Sequence, residues 1–460
     1  MTRLVAIVSD HKLKIALLLA LIMRLGLLLV FYDSIFGYEI TGEIHGSAAY
    51  DEYAQNLLET GVYGRVAGVP DANIPPLYSY IVAGIYGTFG RGGLQIGLLH
   101  IVLDMLTMLL LYDIVRRIFK QHPAHQWIAT LTLLTYAAYP YLIYQNLTLN
   151  DTALFMLLMH AFVWGLVVLR ERERLDHKTF LLAVSVGVIL GITTLGRALL
   201  PLLAILAALW FLFRLSFWQT VLRLLPVALV SALVLVPWMW RNLQIYDAFV
   251  PVALNTGENL YQGNNDWTLP LFRAGYDAQW SAPPPEAEDA DAFLKNQLLT
   301  DAGIQWLRNN RDQLPDLLWT KFIVYWHLDI TPRNNPQVGE NLILENGELI
   351  IVDDPNSDLQ DIETLTVYSS SLFDTVGRPV HQLYFGGLLF LSLIGVGLSL
   401  SMWRDVSLLW FVQISMTIMY VIFHPSTRYR VPTDPLLFAF AAFTIVSIWC
   451  WFQERNTERA

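Results

Sequence analysis

Long apolar stretches separated by short polar ones set the rhythm of this chain. Runs of about 20 apolar residues can cross a hydrocarbon core of roughly 30 Å. Such runs recur near 13–32, 94–115, 126–146, 152–169, 179–196, 198–214, 219–238, 381–402, 405–424 and 436–452. The pattern predicts an all-α polytopic membrane protein of about ten transmembrane helices. The first run carries Arg24 and lacks a small-residue cleavage site, which reads as a true span. Two polar intervals, 33–93 and 239–380, are long enough to fold outside the spans. The expected organisation is therefore a transmembrane region over 1–238 containing the first loop 33–93, a loop domain over 239–380, and C-terminal transmembrane helices over 381–460.

Within the intervals the periodicity changes. HGSAAYDEYAQNLLETGVYG (45–64) predicts a short amphipathic helix, with Ser47 as N-cap, Asp51 and Glu52 early where the helix dipole favours acids, and Gly61 as stop. Tyr50, Ala54, Leu57 and Leu58 fall on one face of it. IPPLYSYIVAGIYGTFG (74–90) is too short to span comfortably and is expected at or re-entering the interface. In the second interval, 291–310 and 314–328 repeat apolar residues at helical spacing, with Trp and Tyr suited to a membrane interface. NLILENGELIIV (341–352) reads as two strands around Asn346-Gly347, the pair that a type I′ turn prefers. The second interval is thus expected to form a small α+β cap, with SAPPPEAEDADAF (281–293) as a flexible linker.

Composition sharpens this picture. Of 460 residues, 55% are hydrophobic and only 15% charged, against about a quarter charged in soluble domains. Clusters such as Arg116, Arg117 and Lys120, or Arg170, Arg172, Arg174 and Lys178, lie on one side of the predicted topology, together with both termini. The positive-inside rule makes that side cytoplasmic. Residues 239–380 hold 21 Asp and Glu against 8 Lys and Arg, so most of the net charge of −10 lies on the other, exoplasmic side. An acidic loop of this kind argues against a nucleic-acid partner. The single cysteine, Cys450, permits no intramolecular disulfide and no cysteine-based metal site.

Polar residues inside the spans call for partners. Arg24 lies ten residues beyond Lys14 and Asp104 twelve before Arg116, depths of roughly 15 and 18 Å at about 1.5 Å per residue. An unpaired charge there costs about 2.5–3.5 kcal/mol or more, so the two are expected to pair. His160 is expected to be a packing histidine. At the end of the seventh expected span, PWMWRN (237–242) leads into NTGENLYQGNN (255–265). Here Arg241-Asn242 precedes a Gly- and Asn-rich turn able to place backbone N–H and amide donors around an anion or a sugar.

Five segments, in order, resemble the polyprenyl-phosphate-sugar-dependent glycosyltransferases of the GT-C fold, the broad group of protein mannosyltransferases and lipid A aminoarabinose transferases. They are Y-D-x-x-A-x-x-L-x-x-x-G-x-Y with PPLY in the first loop, LTLNDTALFMLL (147–158), TLGRALLP (194–201), PWMWRN with FVPVALNTGENLYQGNN (249–265), and HPSTRYRVPTDPLL (424–437). The resemblance implies transfer of a sugar from a polyprenyl phosphate to a lipid, glycan or protein acceptor on the exoplasmic face of the cell membrane, with inversion. The family places a catalytic acid four residues before the tyrosine matching Tyr50. That position is Gly46 here, which leaves Asp51, then Glu43, with Asp151 as a further acid. Arg428 and Arg430 are the first candidates for the lipid phosphate, followed by Arg241, Lys321 and Arg197. Tyr50, Tyr78, Asn255, Asn259, Tyr261, Asn264 and Asn265 are the candidates for sugar or acceptor contacts. No cofactor is implied, although some relatives use a divalent cation; the acids of DAD (289–291) read as solvated charge. The rival readings are a polysaccharide polymerase or ligase, a silent lipid-binding relative, and a lipid or solute transporter, which would favour internal repeats and polar groups near the midplane.

Overall fold

The computed structural model describes residues 11–36, 47–334, 336, 339–353 and 373–459. Helices α1 (His11–Phe36), α2 (Ala48–Thr60), α3 (Pro76–Phe89), α4 (Gly93–Ile118), α5 (His125–Ala137), α6 (Pro140–Gln145) and α7 (Thr152–Glu171) come first. They are followed by α8 (His177–Gly196), α9 (Leu200–Leu212), α10 (Phe217–Tyr246), α11 (Thr256–Gly263), α12 (Thr268–Ala274), α13 (Pro285–Glu288), α14 (Ala292–Asn309) and α15 (Leu314–Trp326). A hairpin of β1 (Glu340–Glu345) and β2 (Glu348–Asp353) precedes α16 (Arg378–Leu398), α17 (Trp403–Ile422), the single turn α18 (Thr427–Arg430) and α19 (Asp434–Arg459).

Seven stretches among the described residues are long and apolar enough to cross a membrane, and one of them, Thr375–Ile422, holds both α16 and α17. The other two expected spans take different forms. Pro140 disfavours the helical region for the residue before it, so Tyr139 is extended (φ −71°, ψ 108°) and 126–146 splits into α5 and α6. The apolar run at 198–214 shortens to the 13-residue α9. Buried side chains of α4, α5, α7, α17 and α19, among them Leu111, Leu133, Phe162, Met416 and Phe440, form the main core.

The expected intramembrane pair is present. Arg24 Nε donates to Asp104 Oδ2 at 2.7 Å, and both residues are fully buried. Tyr136 and Asn146 also donate to the Asp104 carboxylate, while Arg24 Nη1 donates to the Ala137 carbonyl. His160 Nδ1 lies 2.8 Å from the Met156 carbonyl oxygen, in keeping with a packing role.

Two glycines one turn apart bring α8 against α10. A Cβ on Gly187 would lie 2.7 Å from the Val227 carbonyl oxygen, and one on Gly191 would lie 2.9 Å from that of Ser231. This small-xxx-small spacing lets backbones approach where lipid gives no hydrophobic drive for association. At the end of the bundle where α4, α7 and α9 finish, Asp405 at the start of α17 gathers Arg170, Arg214 and Gln121 at 2.6–2.9 Å.

Among its described residues the second polar interval holds short helices and one hairpin, in which Glu345 pairs with Glu348 and Asn346 and Gly347 take φ of +53° and +81°. That geometry is the I′ turn expected of Asn-Gly. The segment expected as a linker is partly ordered. It forms the one-turn α13, and Asp291 caps α14 by accepting from the Phe293 and Leu294 amides.

Candidate functional site

The first loop is stitched to the turn before α7. The Ser47 amide donates to the Leu149 carbonyl at 3.0 Å, which sets the start of α2 against Asn150 and Asp151. Asp151 is buried at the N-cap of α7, where the helix dipole favours an anion. Arg197 leaves the end of α8 in an extended conformation (φ −147°) and reaches across. Its Nε donates to Asp151 Oδ2 at 2.6 Å and its Nη2 donates to Oδ1, a fork-to-fork pair. Arg428, from α18, places Nη2 3.8 Å from the same Oδ1.

These groups open on a hollow of about 330 Å³. Its walls include Tyr50 from α2, Arg197 and Leu199 after α8, Asn255 and Asn259 around α11, and Tyr420, His424, Arg428 and Tyr429 around the α17–α18 turn. Arg197 Nη1 and Arg428 Nε are buried without a hydrogen-bond partner. Such donors are nearly always satisfied when buried, and here two guanidinium groups with spare donors stand on the wall of one hollow. The arrangement suits an anionic ligand.

Electrostatics fit that assignment. Burial alone would raise the Asp151 carboxyl, but the Arg197 guanidinium, with Arg428 behind it, holds it below the ordinary carboxylate range. Burial, with Asp151 adding to it, pushes the Tyr50 phenol well up, so it stays a neutral donor. Burial lowers the Lys321 ammonium to about 7.

Several expected site residues are placed elsewhere. The Asp51 carboxylate faces away from the hollow, accepting from Arg91, Tyr86 and Gln55 at 2.5–3.0 Å. Successive helical residues diverge by about 100°, so Tyr50 and Asp51 serve different sides of α2. Glu43 lies outside the described residues. Arg241 donates to the Asp71 and Tyr63 carbonyls and covers the Trp238 ring at 4.5 Å, clamping the first loop to α10. Arg430 is fully buried, bonded to Asp434 and the His327 carbonyl over the Phe385 ring. Tyr78 donates to His100 Nε2 at 2.7 Å and meets the Tyr50 ring edge-on at 4.8 Å. Tyr261 donates to the Ala282 carbonyl, and Asn265 joins the Tyr261 carbonyl to the Trp267 amide.

Lys321 and Asn264 act together behind the wall. Lys321 Nζ donates to Asn264 Oδ1 at 2.9 Å and to the Ile422 carbonyl at 3.2 Å, and Asn264 Nδ2 donates to that same carbonyl at 3.0 Å. Gly263 permits the contact, since a Cβ there would sit 1.7 Å from the Phe423 carbonyl oxygen. Together they fix the chain at 422–424 and so place His424. His424 opens the HPSTRYR segment, whose two arginines are its stronger chemical signal.

Among the described residues no group of three or more His, Cys, Asp or Glu can hold a metal ion. A larger cavity of about 600 Å³ lies between α12 and α15, but none of the expected site residues lines it. With Asp151, Arg197 and Arg428 on its wall, the smaller hollow carries the more specific chemistry.

Residues 73–240 match the family model of dolichyl-phosphate-mannose-protein mannosyltransferases. The fold resembles the Archaeoglobus fulgidus oligosaccharyltransferase in its zinc and sulfate complex, with 15% identity and a TM-score of 0.53 over 96% of this chain and 50% of that one. It also resembles AglB from the same organism in complex with an inhibitory peptide and a dolichol-phosphate, with 14% identity and a TM-score of 0.54 over 97% of this chain and 51% of that one. ArnT from Cupriavidus metallidurans matches at 14% identity and a TM-score of 0.37, over 86% of this chain and 71% of that one. No curated protein matches the chain in sequence. The chain spans about half the length of the oligosaccharyltransferases it resembles. By its fold, the chain is an all-α multi-pass membrane protein of the GT-C type.

Proposed function

We propose that this protein is a membrane glycosyltransferase that moves a sugar from a polyprenyl phosphate to an acceptor on a lipid, glycan or protein, at the exoplasmic face and with inversion. The observation that carries this reading is the pair of arginines, Arg197 and Arg428, that line one hollow beside the Asp151 carboxylate. A phosphate leaving with its lipid gains negative charge as the sugar–oxygen bond breaks. Preorganised guanidinium donors stabilise that charge more than they stabilise the bound donor. Asp151 holds Arg197 in position, and Tyr50, Asn255 and Asn259 supply hydroxyl and amide groups around the sugar. The dolichol-phosphate in the AglB complex is a ligand of the same chemical class. Arg430, Arg241 and Lys321 are assigned to the frame of the site, and Asp51 to the Arg91 pair that anchors α2.

The test is turnover of polyprenyl-phosphate monosaccharides by purified protein in proteoliposomes. Arg428→Ala is expected to lower kcat about 100-fold or more, the scale seen when one transition-state donor is removed. Arg430→Ala should chiefly lower thermal stability. An Arg428→Ala protein that turns over at the unmodified rate would sink the phosphate assignment.

A further inference from the structure

The transfer releases one proton from the acceptor, and the expected acids among the described residues, Asp151 and Asp51, are poorly placed to take it. Asp151 is gripped through both oxygens by Arg197, with Arg428 3.8 Å away. Two guanidinium groups that stabilise its anion make it a weak base. The Asp51 carboxylate points into the Arg91 pair, outside the lining of the hollow. His424 does line it, from the turn between α17 and α18.

That turn is held from several directions. Lys321 and Asn264 bind the Ile422 carbonyl, Gly263 abuts Phe423, and the Thr427 amide donates to the Thr331 carbonyl at 2.8 Å. The imidazole packs edge-on against the Tyr429 ring, centroids 5.5 Å apart. Asp277 stands beside it, with Oδ1 3.8 Å from His424 Nε2, an ion-pair separation. A carboxylate beside one ring nitrogen favours a proton there and leaves the other nitrogen as the basic one.

Building on the transferase reading above, we infer that His424, backed by Asp277, is the group that takes the acceptor's proton during transfer. The acceptor oxygen or nitrogen forms its bond to the anomeric carbon with its own electron pair, and its proton passes to the imidazole. The bond from the anomeric carbon to the phosphate oxygen breaks, and its electron pair leaves with the lipid phosphate against Arg197 and Arg428. The imidazolium, opposite Asp277, then returns the proton to water.

The surrounding charges keep the imidazole ready. Burial lowers its proton affinity, Lys321 and Arg428 lower it further, and Asp277 and Glu258 raise it; the net shift is below the ordinary histidine value. His424 is therefore neutral at neutral pH and able to accept.

The experiment uses the full chain in proteoliposomes with whichever polyprenyl-phosphate sugar it turns over. His424→Asn is expected to reduce transfer to a hydroxyl or amine acceptor by about 100-fold or more, with donor binding unchanged and the acidic limb of kcat/KM removed. Asp277→Asn should shift that limb to lower pH, because the imidazolium loses its anionic neighbour. With His424→Ala, azide as acceptor should restore formation of the glycosyl azide, since azide has no proton to give up. Transfer by His424→Asn within about threefold of the unmodified protein, with the limb intact, would overturn the assignment. So would an unmoved limb in Asp277→Asn, or azide that restores nothing. If the unmodified protein turns over no lipid-linked sugar, the transferase reading itself fails and this inference goes with it. Loss of the inference alone leaves turnover intact.

Discussion

Lys321 holds its amine where charge is disfavoured, fully buried between Asn264 and the Ile422 carbonyl, with burial lowering it from 10.5 to about 7. This has a consequence for stability. Below pH 7 the amine is charged whether the chain is folded or unfolded, so Lys321 contributes no slope. Between 7 and 10.5 the folded form is neutral while the unfolded chain still binds the proton. The unfolded state then holds more protons, so stability rises with pH, by an amount on the order of a few kcal/mol. Thermal unfolding of detergent-solubilised protein should show a midpoint that climbs from about pH 7 to about pH 9, and Lys321→Met should flatten that climb. An identical slope in the variant would mean that another group titrates. At this scale some partners were legible in the sequence and some were not. Arg24 and Asp104 could be matched because depth along two neighbouring helices is a one-dimensional quantity. Asp51 could not be matched to Arg91, 40 residues away, because that pairing depends on how α2 and α3 fold back on each other. Arg241 was visible as a polar residue at a helix end, yet its two partners are backbone carbonyls of the first loop, which no side-chain pattern announces.

Close approach between helices is set by what side chains leave out. Gly187 and Gly191 place α8 directly on the backbone of α10, and an added Cβ would meet Val227 and Ser231 carbonyl oxygens at under 3 Å. Gly397, near the end of α16, has nothing within 4 Å of its would-be Cβ. Gly191→Leu is therefore expected to destabilise by about 1–3 kcal/mol, the usual consequence of overpacking, while Gly397→Leu should leave the midpoint of thermal unfolding nearly unchanged. Equal shifts in the two variants would show that the contact carries no special strain. Elements with strong local rules were readable from the residues alone. The hairpin followed from Asn346-Gly347, the α2 stop from Gly61, and the two loop helices from their apolar spacing. The break at Tyr139-Pro140 was also written in the sequence, but continuous hydropathy across 126–146 concealed it, because hydropathy measures transfer to lipid and is blind to backbone geometry.

Across the whole molecule, charge is sorted by end. Arg116, Arg117, Lys120, Arg170 and Arg214 gather with Asp113, Glu171 and Asp405 where α4, α7 and α9 finish and α17 begins. The hollow with Asp151, Arg197 and Arg428 lies where α7 and α19 begin and α8 finishes, on the side that also carries the acidic second interval. Under the proposed function the basic end stays in the cytoplasm, which would place the hollow at the outer leaflet, where a lipid-linked donor presents its phosphate. The sequence offers a direct way to check this, because Cys450 is the only cysteine. In a Cys450→Ser background, Glu348→Cys on the hairpin and Arg174→Cys beyond α7 both lie at exposed positions. A membrane-impermeant maleimide applied to intact cells should label Glu348→Cys at once and Arg174→Cys only after permeabilisation. The reverse order would put the hollow in the cytoplasm. A donor with its sugar outside could not reach it there, and the arginine pair would have to serve an anion supplied from within the cell.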